Sequence, residues 1–103
     1  MAIVPSRLLH CGRVAPALPT VCEFDGISVS MYYRDHLPPH VHVFHGGREA
    51  VIEIRTGRLI AGGLSGGTLT KVRAWVRLRR QELEANWLRA RLWLPLVRVA
   101  PLP

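Results

Sequence analysis

Directly after Asp25-Gly26, the residues Ile27, Val29, Met31 and Tyr33 alternate with Ser28, Ser30 and Tyr32. A period of two is the mark of a half-buried strand, because successive side chains of a strand point to opposite faces. Asp-Gly is a strong hairpin signal, since both central residues of a tight β-turn need positive φ. The short apolar run Val21 to Phe24 is therefore predicted to be the first strand and to pair with the second. An antiparallel start of this kind commits the chain to a sheet with one face to bury.

Three more turn signals extend the pattern. Leu37-Pro38-Pro39 breaks the second strand. Residues His40 to His45 form the third, with His40, His42 and Phe44 on one face and Val41, Val43 and His45 on the other. Gly46-Gly47 turns into a fourth strand over Ala50 to Ile54, and Thr56-Gly57 turns into a short fifth over Arg58 to Ala61.

Gly62, Gly63, Gly66 and Gly67 then form a loop. It is not a phosphate-binding P-loop, because Lys71 follows Thr70 and no Gly-Lys-Ser/Thr sequence exists. Ser65 or Thr68 is a candidate cap for the next helix, whose N-terminus is a weak candidate for anion binding.

From Leu69 to about Leu94 the apolar period becomes helical. Leu69, Val72, Trp75, Val76, Leu83, Trp87, Ala90 and Leu94 share one broad face. That face is expected to cover one side of the sheet, with Trp75 and Trp87 as core residues. Arg79 falls inside the apolar arc and needs an acid such as Glu49 or Glu53, or a path outwards. Arg80 and Glu84 are spaced to pair at i,i+4.

The predicted fold is thus α+β: an antiparallel β-meander of four to five strands packed on one long C-terminal helix. Residues 1–18 read as a flexible extension, 19–94 as one domain, and 95–103, with Pro95, Pro101 and Pro103, as a Pro-rich tail. At 103 residues the chain holds one domain and is too short for a doubly wound nucleotide-binding enzyme, an α/β barrel or a kinase. It lacks an apolar run long enough for a transmembrane helix, and residues 1–17 lack the continuous apolar stretch of a signal peptide. Cys11 and Cys22 match no zinc spacing and read as two free thiols of a reducing cytoplasm.

Charge points to a class of partner. Fourteen Lys and Arg oppose seven acids, a net +7. Lys71 is the only lysine, and arginine suits bidentate contact with phosphate. Nucleic acid or the ribosome leads, with an acidic protein as the alternative. Arg73, Arg77, Arg80 and Arg91 cluster on one flank of the predicted helix. They are the candidate nucleic-acid-binding stripe; the competing reading is a solvated helix face.

The chemically loaded segment is Asp35-His36-Leu37-Pro38-Pro39-His40-Val41-His42-Val43-Phe44-His45. Three readings of it stay open. His36, His40 and His42 are candidate ligands for a divalent metal ion, with a position left for water. Alternatively, Asp35, His36, His40 and His42 form a metal-free acid–base site. Imidazoles titrate near 6.5, so they can deprotonate a ribose 2′-hydroxyl and protonate a leaving 5′-oxygen. Arg34, Arg48 or the helix stripe would steady the phosphate charge, and Asp35 would orient an imidazole through Nδ1. In the third reading, the histidines simply hydrogen-bond the turn and the sheet.

The chain resembles a family of small bacterial and archaeal proteins, the domain of unknown function 4160. The matching residues are Pro19-Thr20-Val21, Phe24-Asp25-Gly26-Ile27, Met31-Tyr32-Tyr33 and the run Asp35-His36-x-Pro38-Pro39-His40-x-His42-Val43. Glu49-Ala50, Thr56-Gly57, Gly63-Leu64, Trp75 and Arg80-x-Glu82-Leu83-x-x-x-Trp87 continue the likeness across residues 19–90. Leu64-Ser65-Gly66-Gly67 is richer in glycine than the family pattern, so a loop-borne basic contact is missing here. The resemblance implies a prokaryotic cytoplasmic protein encoded beside another small protein, as in a toxin–antitoxin pair. The expected function is a toxin-like component acting on RNA or translation, with an antitoxin-like partner. The alternatives are a non-catalytic nucleic-acid- or protein-binding module and a His-ligated metal protein. Exposed edge strands also make strand pairing with a partner, or homo-oligomerisation, an expectation.

Overall fold

The computed structural model of the chain describes residues 19–103. The predicted extension and Cys11 lie outside the described residues. Five strands run in order: β1 (Thr20–Phe24), β2 (Ile27–Ser30), β3 (His40–His45), β4 (Arg48–Glu53) and β5 (Leu59–Gly62). They form one antiparallel sheet in the order β1-β2-β3-β4-β5. Each turn is made where the sequence predicts it. Asp25 and Gly26, and then Gly46 and Gly47, all have positive φ, which the two-residue hairpins require. Gly62 cannot carry a side chain, because a Cβ there would collide with the Glu49 carbonyl across β4.

The single long helix expected after the sheet is instead two helices. Helix α1 (Gly66–Leu78) and helix α2 (Arg80–Arg91) are separated at Arg79, whose φ of −104° and ψ of 19° leave the helical region. A straight helix from Leu69 to Leu94 would run about 39 Å at 1.5 Å per residue. Among the described residues no strand is longer than six residues, or roughly 20 Å at 3.3 Å per residue, so an unbroken helix would overshoot the sheet. The break lets Val72, Trp75 and Val76 of α1, and Leu83, Trp87 and Ala90 of α2, all be buried. Trp75 and Trp87 are core residues, as expected. Leu94 is not: α2 ends at Arg91 and Leu94 is exposed.

The buried sheet face carries Ile27, Val29, Val41, Val43, Ala50 and Ile52. The registers Val29↔Val43 and Val43↔Ala50 set these side chains side by side. Burying them against the helices is the main source of stability, at about 25 cal/mol per Å2 of apolar surface removed from water.

Residues 97–101 pack back onto the domain. The Val99 amide donates to the Val21 carbonyl of β1 (2.8 Å), and Val99 is buried. The buried Asn86 side chain grips Val97 from both sides, donating to its carbonyl (2.8 Å) and accepting from its amide (2.9 Å). The Trp75 indole donates to the Ala100 carbonyl (2.8 Å). Arg79 donates to the carbonyls of Ala100 and Pro101 and lies 4.0 Å from Glu82. Its predicted acid partners, Glu49 and Glu53, are engaged with His42 and with Thr56 and Arg58 instead. The expected Arg80–Glu84 pair is not among the ion pairs of the described residues, and Arg80 Nε is buried without a hydrogen-bond partner there.

Candidate functional site

Asp35 is the centre of the site. It sits in the connection between β2 and β3, just before the cis Leu37–Pro38 peptide bond. Its Oδ2 accepts from His40 Nε2 and from His42 Nε2, both at 2.9 Å. Its Oδ1 accepts from the His36 amide (2.8 Å) and lies 3.7 Å from His36 Nε2. Strand alternation brings His40 and His42 to one face, and the turn folds Asp35 over them. The expected contact through Nδ1 is thereby corrected: both imidazoles meet Asp35 through Nε2. The reason is that each Nδ1 is already committed, that of His40 to the Pro38 carbonyl (2.6 Å) and that of His42 to Glu49 Oε2 (3.1 Å).

The three histidines differ in access. His40 is buried, at 1 % exposure, with its ring 5.2 Å from that of Trp87. His42 is mostly covered, with Tyr32 4.4 Å from its ring. The His36 side chain is 82 % exposed. The rings form a row, with centroids 5.1 Å apart from His36 to His40 and 5.0 Å from His40 to His42.

These contacts set the electrostatics. Burial alone would raise the Asp35 carboxyl, but the hydrogen bonds from His40, His42 and the His36 amide outweigh it. They hold Asp35 well below the usual carboxylate range. Burial likewise opposes charge on His42, yet its hydrogen bonds to Asp35 and Glu49 prevail and raise it above 6.5. Both ring nitrogens of His42 thus face carboxylate oxygens, an arrangement that favours its protonated form. Burial pushes the Cys22 thiol up, which keeps it in the unreactive protonated form.

Of the four stripe arginines, only Arg91 reaches this corner, donating to the Asp35 carbonyl oxygen (3.4 Å). Arg34, which has a φ of 55°, joins it by donating to the Arg91 carbonyl (3.4 Å). Arg73 is turned to the Gly57 carbonyl (2.9 Å), Arg77 is exposed, and Arg80 lies beyond the helix break. The ligand atoms of Asp35, His36 and His40 lie within 4.8 Å of one another, a spacing that can hold a metal ion. His42, a predicted ligand, is outside that trio.

Glu49 as a site residue is not evident from the histidine motif alone. The signal is present in the hairpin. A Gly46-Gly47 turn pairs His45 with Arg48 and His42 with Val51, which sets Glu49 diagonal to His42 on the same face. Trp87 and Tyr32 carry no comparable local signal.

A model of the family described as "domain of unknown function (DUF4160)" matches residues 26–88. The chain belongs to this family. The match takes in β2 through most of α2, and therefore every histidine and carboxylate of the site. No curated protein matches the chain, and no solved structure does. Among the described residues, no helix is long and apolar enough to cross a membrane.

Proposed function

We propose that this domain is the toxin-like component of a two-gene module, acting on RNA or the translation machinery through its histidine cluster. The observation that carries this reading is the placement of His36. It is the open imidazole of the cluster, it lies beside a carboxylate held ionised, and Arg34 and Arg91 are at the same corner. Such a corner can move a proton and hold a phosphate.

In this reading His36 takes the proton of a ribose 2′-hydroxyl and the 2′-oxygen attacks phosphorus. The 5′-oxygen leaves with the Nδ1 proton of His42, once the exposed Glu49 carboxylate has swung off it, giving a 2′,3′-cyclic phosphate and a 5′-hydroxyl. Asp35 positions all three imidazoles. Arg91 and Arg34 steady the phosphate, and Arg73, Arg77 and Arg80 attract the backbone from further off. An antitoxin-like partner, or a second copy pairing along an edge of the sheet, completes the proposal.

The convergence of Asp35, His36 and His40 favours a second reading, a divalent-metal site. There His40 Nε2 would exchange its hydrogen bond to Asp35 for a bond to the metal.

Both readings are tested on one preparation made without a histidine tag, with labelled RNA, with and without chelator. Metal-independent cleavage to a cyclic phosphate, lost in a folded His36→Ala variant, is the expected result. Stoichiometric metal whose removal abolishes cleavage would move the site to the metal reading. RNA binding without cleavage would leave a binding module and end both catalytic readings.

A further inference from the structure

The last turn of α2 ends in an unusual way. The Leu94 amide bonds the Arg89 carbonyl (2.9 Å) and the Trp93 amide approaches the Ala90 carbonyl (3.4 Å). These are the two bonds of a Schellman cap, whose left-handed residue is usually glycine. Here that residue is Trp93, with a φ of 60°. A bulky side chain in this conformation is strained. The strain does not serve burial, because Trp93 remains 66 % exposed. Its ring is held in place all the same, stacked on Tyr33 at 5.6 Å and 5°.

Leu88 and Leu92, at i and i+4, share a face of α2 and are exposed, as is Leu94. Four large apolar side chains thus face water at one end of the helix. Arg89, Arg91 and Arg98 lie in or after the last turn of α2 and no acid follows Glu84, which is exposed one turn before Leu88 on the same face. Arg34 adds a fourth positive charge through its bond to the Arg91 carbonyl.

We propose that Leu88, Leu92, Trp93 and Leu94 are the docking surface for an acidic, amphipathic segment of a partner protein. The arginines choose the occupant. A second copy meeting this surface face to face would bring like charges together, whereas an acidic partner would pair them. Leucines offer nothing to the phosphates of RNA. A pocket on a folded partner gains from an anchor that stacking has already ordered. The proposal does not rest on the reading of the histidine site.

The probe is a synthetic amphipathic helical peptide with leucines on one face and glutamates on the other. Its controls are the same peptide with lysine for glutamate and a scrambled version. Titration of the full chain, followed by calorimetry, should show saturable binding of the glutamate peptide alone. Trp93→Gly removes the anchor and relieves the backbone, so this variant should keep or raise its melting temperature while binding at least tenfold more weakly. Leu88→Gln with Leu92→Gln provides a second folded variant with the same expected loss. Equal binding of glutamate and lysine peptides, or undiminished binding by these variants, would overturn the proposal. So would a dimer that the Leu88→Gln, Leu92→Gln pair dissolves, or displacement of the glutamate peptide by anionic vesicles or single-stranded RNA.

Discussion

Strand β3 has two faces that use opposite chemistry. Val41 and Val43 are wholly buried and touch other apolar side chains from β2 and β4. His40 and His42 point the other way and are held by Asp35, Glu49 and the Pro38 carbonyl. The apolar face tolerates a neighbour of roughly the right size. The polar face does not, because each ring nitrogen needs an oxygen at hydrogen-bond distance, and one of the two rings is out of reach of water. The polar face is therefore the less forgiving half of the same strand.

Asp35→Ala separates the two faces most sharply. It strips the shared acceptor from two imidazoles, one of them buried, and should cost about 3–5 kcal/mol, the range for breaking a buried ionic contact on one side. Urea unfolding measures it, and a loss under about 1 kcal/mol would mean that the site is a surface network of the kind worth little. Ile52→Ala on the apolar face should come next at about 2–4 kcal/mol, as large-to-small core changes do. A larger loss here than in Asp35→Ala would reverse the comparison.

The pH dependence sharpens it further. Asp35 is held below its ordinary value of 3.8, so its stabilisation is present above that pH and fades as pH falls through the lower folded value. His42 is raised above 6.5, so its stabilisation is full below 6.5 and is lost as pH rises through the higher folded value. Stability relative to Asp35→Asn should shrink in acid, and stability relative to His42→Gln should shrink in alkali. Ile52→Ala should show neither trend. His36→Ala should have the smallest effect, within about 0.5 kcal/mol, because its side chain is exposed.

Sequence periodicity reveals the apolar face well. Alternation at Ile27, Val29, Val41 and Val43, with glycine turns between strands, predicts an antiparallel meander of four to five strands, and the structure has five in sequence order. It also draws Asp35, His36, His40 and His42 into one cluster. The helical region is legible only in part. A period of 3.6 reports which residues share a face, but not whether the helix runs on past the width of the sheet. The break falls at Arg79, whose side chain bonds the carbonyls of Ala100 and Pro101, contacts that no local pattern encodes. Asn86, gripping Val97 from inside an otherwise apolar stripe, is hidden from the sequence for the same reason.

The bond from Val99 to Val21 also has a meaning in time. On a ribosome β1 is among the first parts of the domain to emerge, and the segment that shields its outer edge comes only after both helices. Until then the earliest strand presents an unpaired row of amides and carbonyls, the kind of template on which chains pair wrongly. Closing so long a loop is slow compared with forming the hairpins within it. The sheet can therefore assemble early, while its protection against wrong partners arrives last.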